Sequence, residues 1–465
     1  MSTFDFDLVC IGSGPAGQRA AVQAAKLRKR VAIVEKARIT GGVCVDTGTI
    51  PSKTFREAVI SFTGYGHRFH RSRAKSHGVR ATLEELLGGV TEVVHREAEV
   101  VEDQLRRNDI TVIRGVASFD GPHALRVATG SVERVISAEK IVIAVGTNPA
   151  PVPTPGLPED VVMTSDGVIR MKHLPRTMTV VGGGVIGIEY ASIFAAVGVD
   201  VTLIDRRPRP LEFLDHEIVD ELIHQMRKMN VTFRLNEAVA SISVTETPPV
   251  RGVVTLESGK RIVSDVVLYA IGRVGATGLL NVAKAGLTSD DRGRLKVNEH
   301  FQTDVPHIYA AGDVIGYPSL AATSSEQGRL AACHAFGHNA SAMSEHFPIG
   351  IYAVPEISMV GATEQELTEQ KVPYEVGVAR YREIARGQIV GDDSGMFKML
   401  FHRETRQLLG VHAIGTAATE LIHIGQAVLR LGGGLDYFVK TVFNYPTFAE
   451  CYKVAALNAL NKLAL

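Results

Sequence analysis

Phe6-Asp-Leu-Val-Cys-Ile-Gly12-Ser-Gly14-Pro15-Ala16-Gly17 is the stretch that decides how this chain folds. Its first half reads as a short buried strand, which runs without a spacer into a glycine turn and an alanine-rich helix. Gly12 permits the turn, Gly14 lets a pyrophosphate approach the backbone, and Gly17 lets helix pack closely on strand. Pro15 and Ala16 fall where the helix N-terminus faces the anion. The next strand, Val31-Ala-Ile-Val-Glu35, ends in a carboxylate where a ribose hydroxyl needs an acceptor. A first mononucleotide-binding half starts the chain.

The pattern then returns. Met178-Thr-Val-Val enters Gly182-Gly-Gly184-Val185-Ile186-Gly187, an alanine-rich helix follows, and Val199-Asp-Val-Thr-Leu-Ile-Asp205 again closes on an acid. Two such units about 170 residues apart imply two separate dinucleotides in one protein, with electrons passing between them.

Around these units the chain divides. Residues 54–107 carry a helical period, and within them Arg68, Arg71, Arg73, Lys75 and Arg80 interleave with His67, His70 and His77. Those histidines lack the carboxylates that orient metal ligands, so a solvated loop is expected there. Ile110 to Phe119 predicts one strand and Lys140 to Thr147 another. Five prolines between Asn148 and Pro158 mark a domain crossing. Residues 261–274 predict a strand and glycine turn that bring the chain back, and Val305 to Asp313 predicts a strand ending in an acid. The expected domains are 1–149 with 275–344, then 150–274, then 345–465, the last an α+β domain of short alternating strands and helices.

Composition narrows the partners. A chain of 465 residues, 45% of them apolar, exceeds one hydrophobic core. Lys plus Arg equals Asp plus Glu at 50 each, which leaves no net field to steer nucleic acid or an anionic membrane. Cys10, Cys44, Cys333 and Cys451 make no disulfide framework, so a reducing cytoplasmic setting is expected. No run reaches about 18 apolar residues, and the start lacks a basic region followed by an apolar one, so neither membrane spanning nor export is expected. No metal site is expected.

With these residues in hand, the full chain resembles the flavoprotein disulfide reductase superfamily, and within it the soluble pyridine nucleotide transhydrogenases. The resemblance rests on Gly12 to Gly17 with Glu35, Gly41 to Lys53 ending in Ile-Pro-Ser-Lys, Ala144-Val-Gly-Thr, and Gly182 to Glu189. It rests also on Ala270-Ile-Gly-Arg, Tyr309-Ala-Ala-Gly-Asp-Val, and Phe443-Asn-Tyr-Pro-Thr-Phe-Ala-Glu450. It implies an α/β fold with one Rossmann-like domain for FAD, another for NAD or NADP, and a C-terminal domain that makes a two-fold homodimer. For FAD it implies contacts from Gly12, Gly14, Pro15, Ala16, Gly17, Glu35, Lys36, Gly41, Gly42, Cys44 and Lys53. Gly115, Ala117, Gly146, Thr147, Asp313 and Ala322 complete that set. For the nicotinamide nucleotide it implies Gly182, Gly184, Val185, Ile186, Gly187, Glu189, Asp205, Arg206, Arg207 and Gly272.

Two departures from the superfamily bear on function. Its disulfide reductases carry a second cysteine where Thr49 stands, five residues after Cys44, and a histidine where Tyr445 stands, working with the acid that matches Glu450. A lone thiol stores no electron pair as an intramolecular disulfide, and tyrosine, with an ordinary pKa near 10, is a poor proton carrier at neutral pH. The transhydrogenases are similar to this chain at both positions. The resemblance therefore implies hydride exchange between NADPH/NADP and NAD/NADH through flavin by a ping-pong cycle. Lys53 would lie beside the flavin and pair with Glu189. Asp205 is placed to accept from a ribose 2′-hydroxyl, while Arg206, Arg207 and Arg209 suit a 2′-phosphate. Cys44 is a reactive thiol near the flavin or a small packing residue, and Tyr445 with Glu450 would cover the flavin of the other subunit. A quinone or dye reductase, an NAD(P)H oxidase, and a redox-sensing or assembly protein that merely keeps FAD remain alternatives.

Overall fold

The computed structural model describes residues 3–65 and 82–463, so the basic stretch from His67 to Arg80 lies outside the described residues. Two compact units emerge: Met1–Thr54 with Leu87–Ala150 and Gly272–Ser344, and Phe55–Leu86 with Pro151–Ile271 and Glu345–Leu465.

The first unit is built on the strand Phe6–Ile11, whose Leu8, Val9 and Cys10 are fully buried. It pairs in parallel with Val31–Glu35 on one side and Val132–Ile143 on the other, and Val31–Glu35 pairs in parallel with Thr111–Arg114. Strands buried on both faces read as continuous apolar runs, as Leu8 to Ile11, Val31 to Val34 and Ile141 to Ile143 do. Val132–Ile143 serves three partners along its length, Phe6–Ile11 being one. Its first half is antiparallel to Ala124–Thr129 in a meander with Val116–Gly121, and its last residues pair in parallel with Ile308–Ala310. The helix Pro15–Lys26 exposes alanines to the helix Ala321–Ala335, where a Cβ on Gly328 would overlap Ala16 O. Only small side chains permit that crossing.

The single strand expected from Ile110 to Phe119 is two, Thr111–Arg114 and Val116–Gly121. Gly115 separates them with φ +149°, a conformation that L side chains avoid, and sends the chain from the parallel sheet into the meander. The proline-rich crossing also forms structure. Thr147–Pro149 pairs antiparallel with Arg273–Gly275, so the outgoing and returning strands run side by side.

The second unit holds a five-stranded parallel sheet in the order Thr232–Leu235, Asp200–Asp205, Thr177–Val181, Val266–Tyr269, Val162–Thr164. Its fingerprint helix Val185–Ala196 is buried from Gly187 to Ala195, which accounts for its lack of a polar stripe. The stretch 261–274, expected to give one strand, instead gives Arg261–Ser264 in a three-stranded antiparallel sheet and Val266–Tyr269 in the parallel one. Asp265 punctuates the change by accepting from Arg176 N at 3.0 Å and Thr177 N at 3.1 Å. Residues 345–465 carry an antiparallel sheet in the order Ile349–Ile351, Ile357–Gly361, Leu408–Ile414, Met396–His402, Tyr374–Arg380. Met396 to Phe401 are all buried rather than alternating, with the helix Glu450–Leu463 among the elements that pack on this sheet. Among the described residues no helix is long and apolar enough to cross a membrane.

Candidate dinucleotide-binding sites

In the first unit the glycine turn is fixed by contact. A Cβ on Gly12, at φ +102°, would overlap Ala144 O, and one on Gly17 would overlap Gly12 O. Gly14 differs, since nothing lies within 4 Å of its Cβ position. It caps the helix Pro15–Lys26 with no side-chain hydrogen bond, so the amides of that first turn carry no side-chain cap. Such a cradle fits a pyrophosphate. Glu35 is buried and accepts from Ser13 N at 2.9 Å, Ser13 Oγ at 2.6 Å and Ala37 N at 2.7 Å. Ser13 Oγ in turn accepts from Gly41 N at 2.9 Å, and a Cβ on Gly42 would come within 2.8 Å of Gly14 Cα. The Gly41 to Lys53 segment is thereby seated on the fingerprint. Beyond Glu35, Lys36 and Gly115 help to line an open cavity of about 400 Å³ with Arg38, Arg114 and Thr129. Ala117 puts its side chain in the core, which leaves its backbone as the part able to meet a ligand.

A Cβ on Gly312 would stand 3.2 Å from that of Ala16, and Gly312 N donates to Gln327 Oε1 at 2.9 Å. Asp313 follows. Burial raises its carboxyl above the ordinary range, and Arg273 together with Thr147 pulls it back only in part. Thr147 is held from the other side, where Arg273 Nε donates to Oγ1 and Nη2 to the backbone oxygen, each at 2.8 Å. Gly146 and Gly272 take φ +65° and +144° with free space around them, and Ala322 stands exposed in the first turn of Ala321–Ala335.

Cys44 lies in the short helix Gly42–Asp46, and Thr49 starts the next, Thr49–Thr63. Burial pushes the Cys44 thiol up, and the hydrogen bond from Thr49 and the charge of Lys53 only partly oppose it. Nucleophilic cysteine needs the thiolate, so this environment favours the packing role. Lys53 is half-buried, with Nζ 3.3 Å from Ser52 Oγ.

The second fingerprint repeats the first. Gly182 has φ +110°, a Cβ on Gly187 would overlap Gly182 O, and Gly184 has open space and caps Val185–Ala196 with no side chain. Val185 and Ile186 are half-buried in the first turn. Asp205 accepts from Gly183 N at 2.5 Å and is gripped by Arg207, whose Nε and Nη2 lie 2.9 and 2.7 Å from its two oxygens. Burial would raise Asp205, yet Arg207 and the two amides outweigh it and hold the carboxyl below its ordinary value. Arg209 pairs instead with Asp220, and Arg206 is exposed. Glu189 is buried and accepts from Tyr352 N at 2.8 Å. Lys53 and Glu189 belong to different units. Tyr445 is 67% exposed, while Glu450 opens the helix Glu450–Leu463 with Oε2 buried and unpartnered among the described residues.

Asp215, Glu217 and Glu364 converge closely enough to suggest a metal, but the Lys398 ammonium bridges all three. Ser13 and Arg273 were missed from sequence. Their only signal is position, inside the first glycine turn and directly after Gly272, since neither residue type marks a role by itself.

Two glycine cradles, each backed by a parallel strand and closed by a buried acid, define a protein of two dinucleotides. The chain belongs to the pyridine nucleotide-disulphide oxidoreductase family, which matches residues 6–328, with that family's dimerisation domain matching 347–456. It is 51% identical to the soluble pyridine nucleotide transhydrogenase of Mycobacterium bovis over 99% of this chain and 98% of that protein. It is 44% identical to the soluble pyridine nucleotide transhydrogenase of Photobacterium profundum over 98% of both. Among solved structures, the HOCl-induced flavoprotein disulfide reductase RclA of Escherichia coli superposes with a TM-score of 0.87 at 28% identity, covering 97% of this chain and 99% of that one. LpdA of Mycobacterium tuberculosis shares the fold with a TM-score of 0.88 at 24% identity and the same coverage.

Proposed function

We propose that this chain is an FAD-dependent soluble NAD(P)+ transhydrogenase without a redox-active disulfide. When bound, FAD supplies a two-electron carrier that takes hydride from one nicotinamide nucleotide and returns it to another. The observation that carries the reading is the second complete fingerprint beside a Cys44 whose partner is Thr49. A chain that reduced thiols would need a second sulfur, and a chain that only stored FAD would have no use for Gly182 to Asp205.

In this reading residues 1–149 and 275–344 hold FAD, 150–274 hold NAD or NADP, and 345–465 join two copies as a homodimer. Exposed Leu431, Tyr437, Val442 and Tyr445 give the last segment apolar surface suited to burial against a second copy. Gly14 and the amides after it take the FAD pyrophosphate, Glu35 a ribose hydroxyl, and Asp313 the chain between phosphate and ring. Lys53 places positive charge beside the flavin, and Tyr445 with Glu450 closes the site of the other subunit. The working compartment is the cytoplasm.

The test uses FAD-loaded protein with NADPH as donor and thio-NAD, a quinone or oxygen as acceptor. Transfer to thio-NAD should exceed reduction of the other two. Quinone or oxygen reduction with negligible thio-NAD reduction would replace the transhydrogenase by a reductase or oxidase. A flavin bleached by neither nucleotide would leave only a binding protein.

A further inference from the structure

The two acids that end the fingerprint strands have different acceptor capacities left. A carboxylate offers about four lone-pair positions. Glu35 fills three of them, two on Oε2 from Ser13 and one on Oε1 from Ala37 N, which leaves Oε1 able to take a ribose hydroxyl. Asp205 fills all four. Oδ1 accepts from Arg207 N at 2.8 Å and Arg207 Nε at 2.9 Å, while Oδ2 accepts from Gly183 N at 2.5 Å and Arg207 Nη2 at 2.7 Å. With its guanidinium docked, Arg207 closes the second acid to the group that the same acid is placed to bind.

We infer that Arg207 is a two-position specificity residue, docked on Asp205 when the site takes a 2′-phosphorylated nucleotide and undocked when it takes one with a free 2′-hydroxyl. The inference rests on the transhydrogenase reading only for its purpose, which is to let one site accept both nucleotides in turn. In the docked state the charge of Asp205 is neutralised, so it does not repel a phosphate. Of the five guanidinium N–H groups two are spent on Asp205, and three remain for an anion. The side chain keeps 35% of its surface exposed, enough to present them. Arg206 is exposed beside it, and among the described residues no hydrogen bond or ion pair engages it. Arg209 is committed to Asp220 and adds nothing while so paired. In the undocked state the amides of Gly183 and Arg207 still hold Asp205, while one position on each oxygen opens. Two acceptors then meet the two hydroxyls of an unphosphorylated ribose.

The experiment measures KM for NADH and NADPH in dye reduction by FAD-loaded protein, with 2′,5′-ADP and 5′-ADP as competitive inhibitors. Arg207→Gln should raise the NADPH KM and the 2′,5′-ADP inhibition constant by about tenfold or more, and lower the NADH KM and the 5′-ADP constant. Arg206→Gln should weaken NADPH alone. An Arg207→Gln enzyme in which both KM values move the same way, or in which NADH is unaffected, overturns the two-position role. Should that variant lose its flavin, Arg207→Lys, which keeps the charge but not the fork, must shift the two KM values in opposite directions or the inference fails. Wild-type transfer from NADPH to thio-NAD is read separately. Its absence would remove the transhydrogenase reading while the KM split still judged Arg207.

Discussion

Lys53 stands half-buried four residues into the helix that Thr49 begins, and replacing it with methionine keeps length while removing charge. Flavin reduction by NADPH in rapid mixing should slow by about tenfold or more, because a fixed ammonium stabilises the charge that accumulates on reduction. An unchanged rate would remove Lys53 from the site. The glycines offer a sharper contrast. Gly187→Ala would drive a methyl into Gly182 O, and backbone cannot rotate away as a side chain does, so about 2 to 3 kcal/mol of stability and the nucleotide affinity should go together. Gly14→Ala meets nothing within 4 Å and has an ordinary φ of −65°, so it should fold normally and lose only flavin retention. Melting curves and bound-flavin absorbance separate the two outcomes. The turn at Gly12 and the close approach at Gly17 were legible because both leave no room for a side chain. The docking of Arg207 on Asp205 was not, since a sequence shows which charges are neighbours and not which lone pairs they occupy.

At the scale of elements, the strand Met396–His402 carries a lysine among apolar residues, with Lys398 and Asp215 each 1% exposed. Burial alone would lower the Lys398 ammonium, but Asp215 and Glu364 outweigh it and keep its pKa above the ordinary value. The helix His216–Lys228 is thus tied through Asp215, its N-cap, to a strand of the C-terminal sheet. Lys398→Met should cost about 3 to 5 kcal/mol, because it strands a buried carboxylate, and Asp215→Asn added to it should restore part of the loss. Denaturant midpoints of the single and double variants decide the matter, and equal midpoints for Lys398→Met and wild type would show the pair to be idle. Element identity was legible wherever periodicity and glycines agreed, as in Phe6–Ile11 and Val185–Ala196. It failed between Ile110 and Phe119, where Gly115 lies inside a run whose alternation continues across it. It failed again after Arg261, where adjacent strands serve different sheets and local pattern carries no sheet assignment.

For the whole molecule, acid is the condition that stacked histidines should register. His123 and His307 stack with ring centroids 3.7 Å apart, and His300 and His334 with centroids 4.3 Å apart. Burial lowers His307, helped by the charges of His123 and Lys140, and burial with His300 lowers His334. The unfolded chain then binds protons at these positions more readily than the folded one. Their contribution is complete above the ordinary histidine value near 6.5 and is lost as pH falls through it toward the lowered folded values. Urea midpoints should fall between pH 7.5 and 5.5, and His307→Asn should flatten that fall; an equally steep profile would assign the acid sensitivity elsewhere. The long strand Val132–Ile143 has a consequence of another kind. Its last residues sit between Phe6–Ile11 and Ile308–Ala310, segments about 300 positions apart along the chain. A ribosome adding about 5 to 20 residues per second needs roughly 15 to 60 s between the first of these strands and the last. The unit that begins synthesis therefore waits with an open sheet edge until long after the second glycine turn has left the exit tunnel.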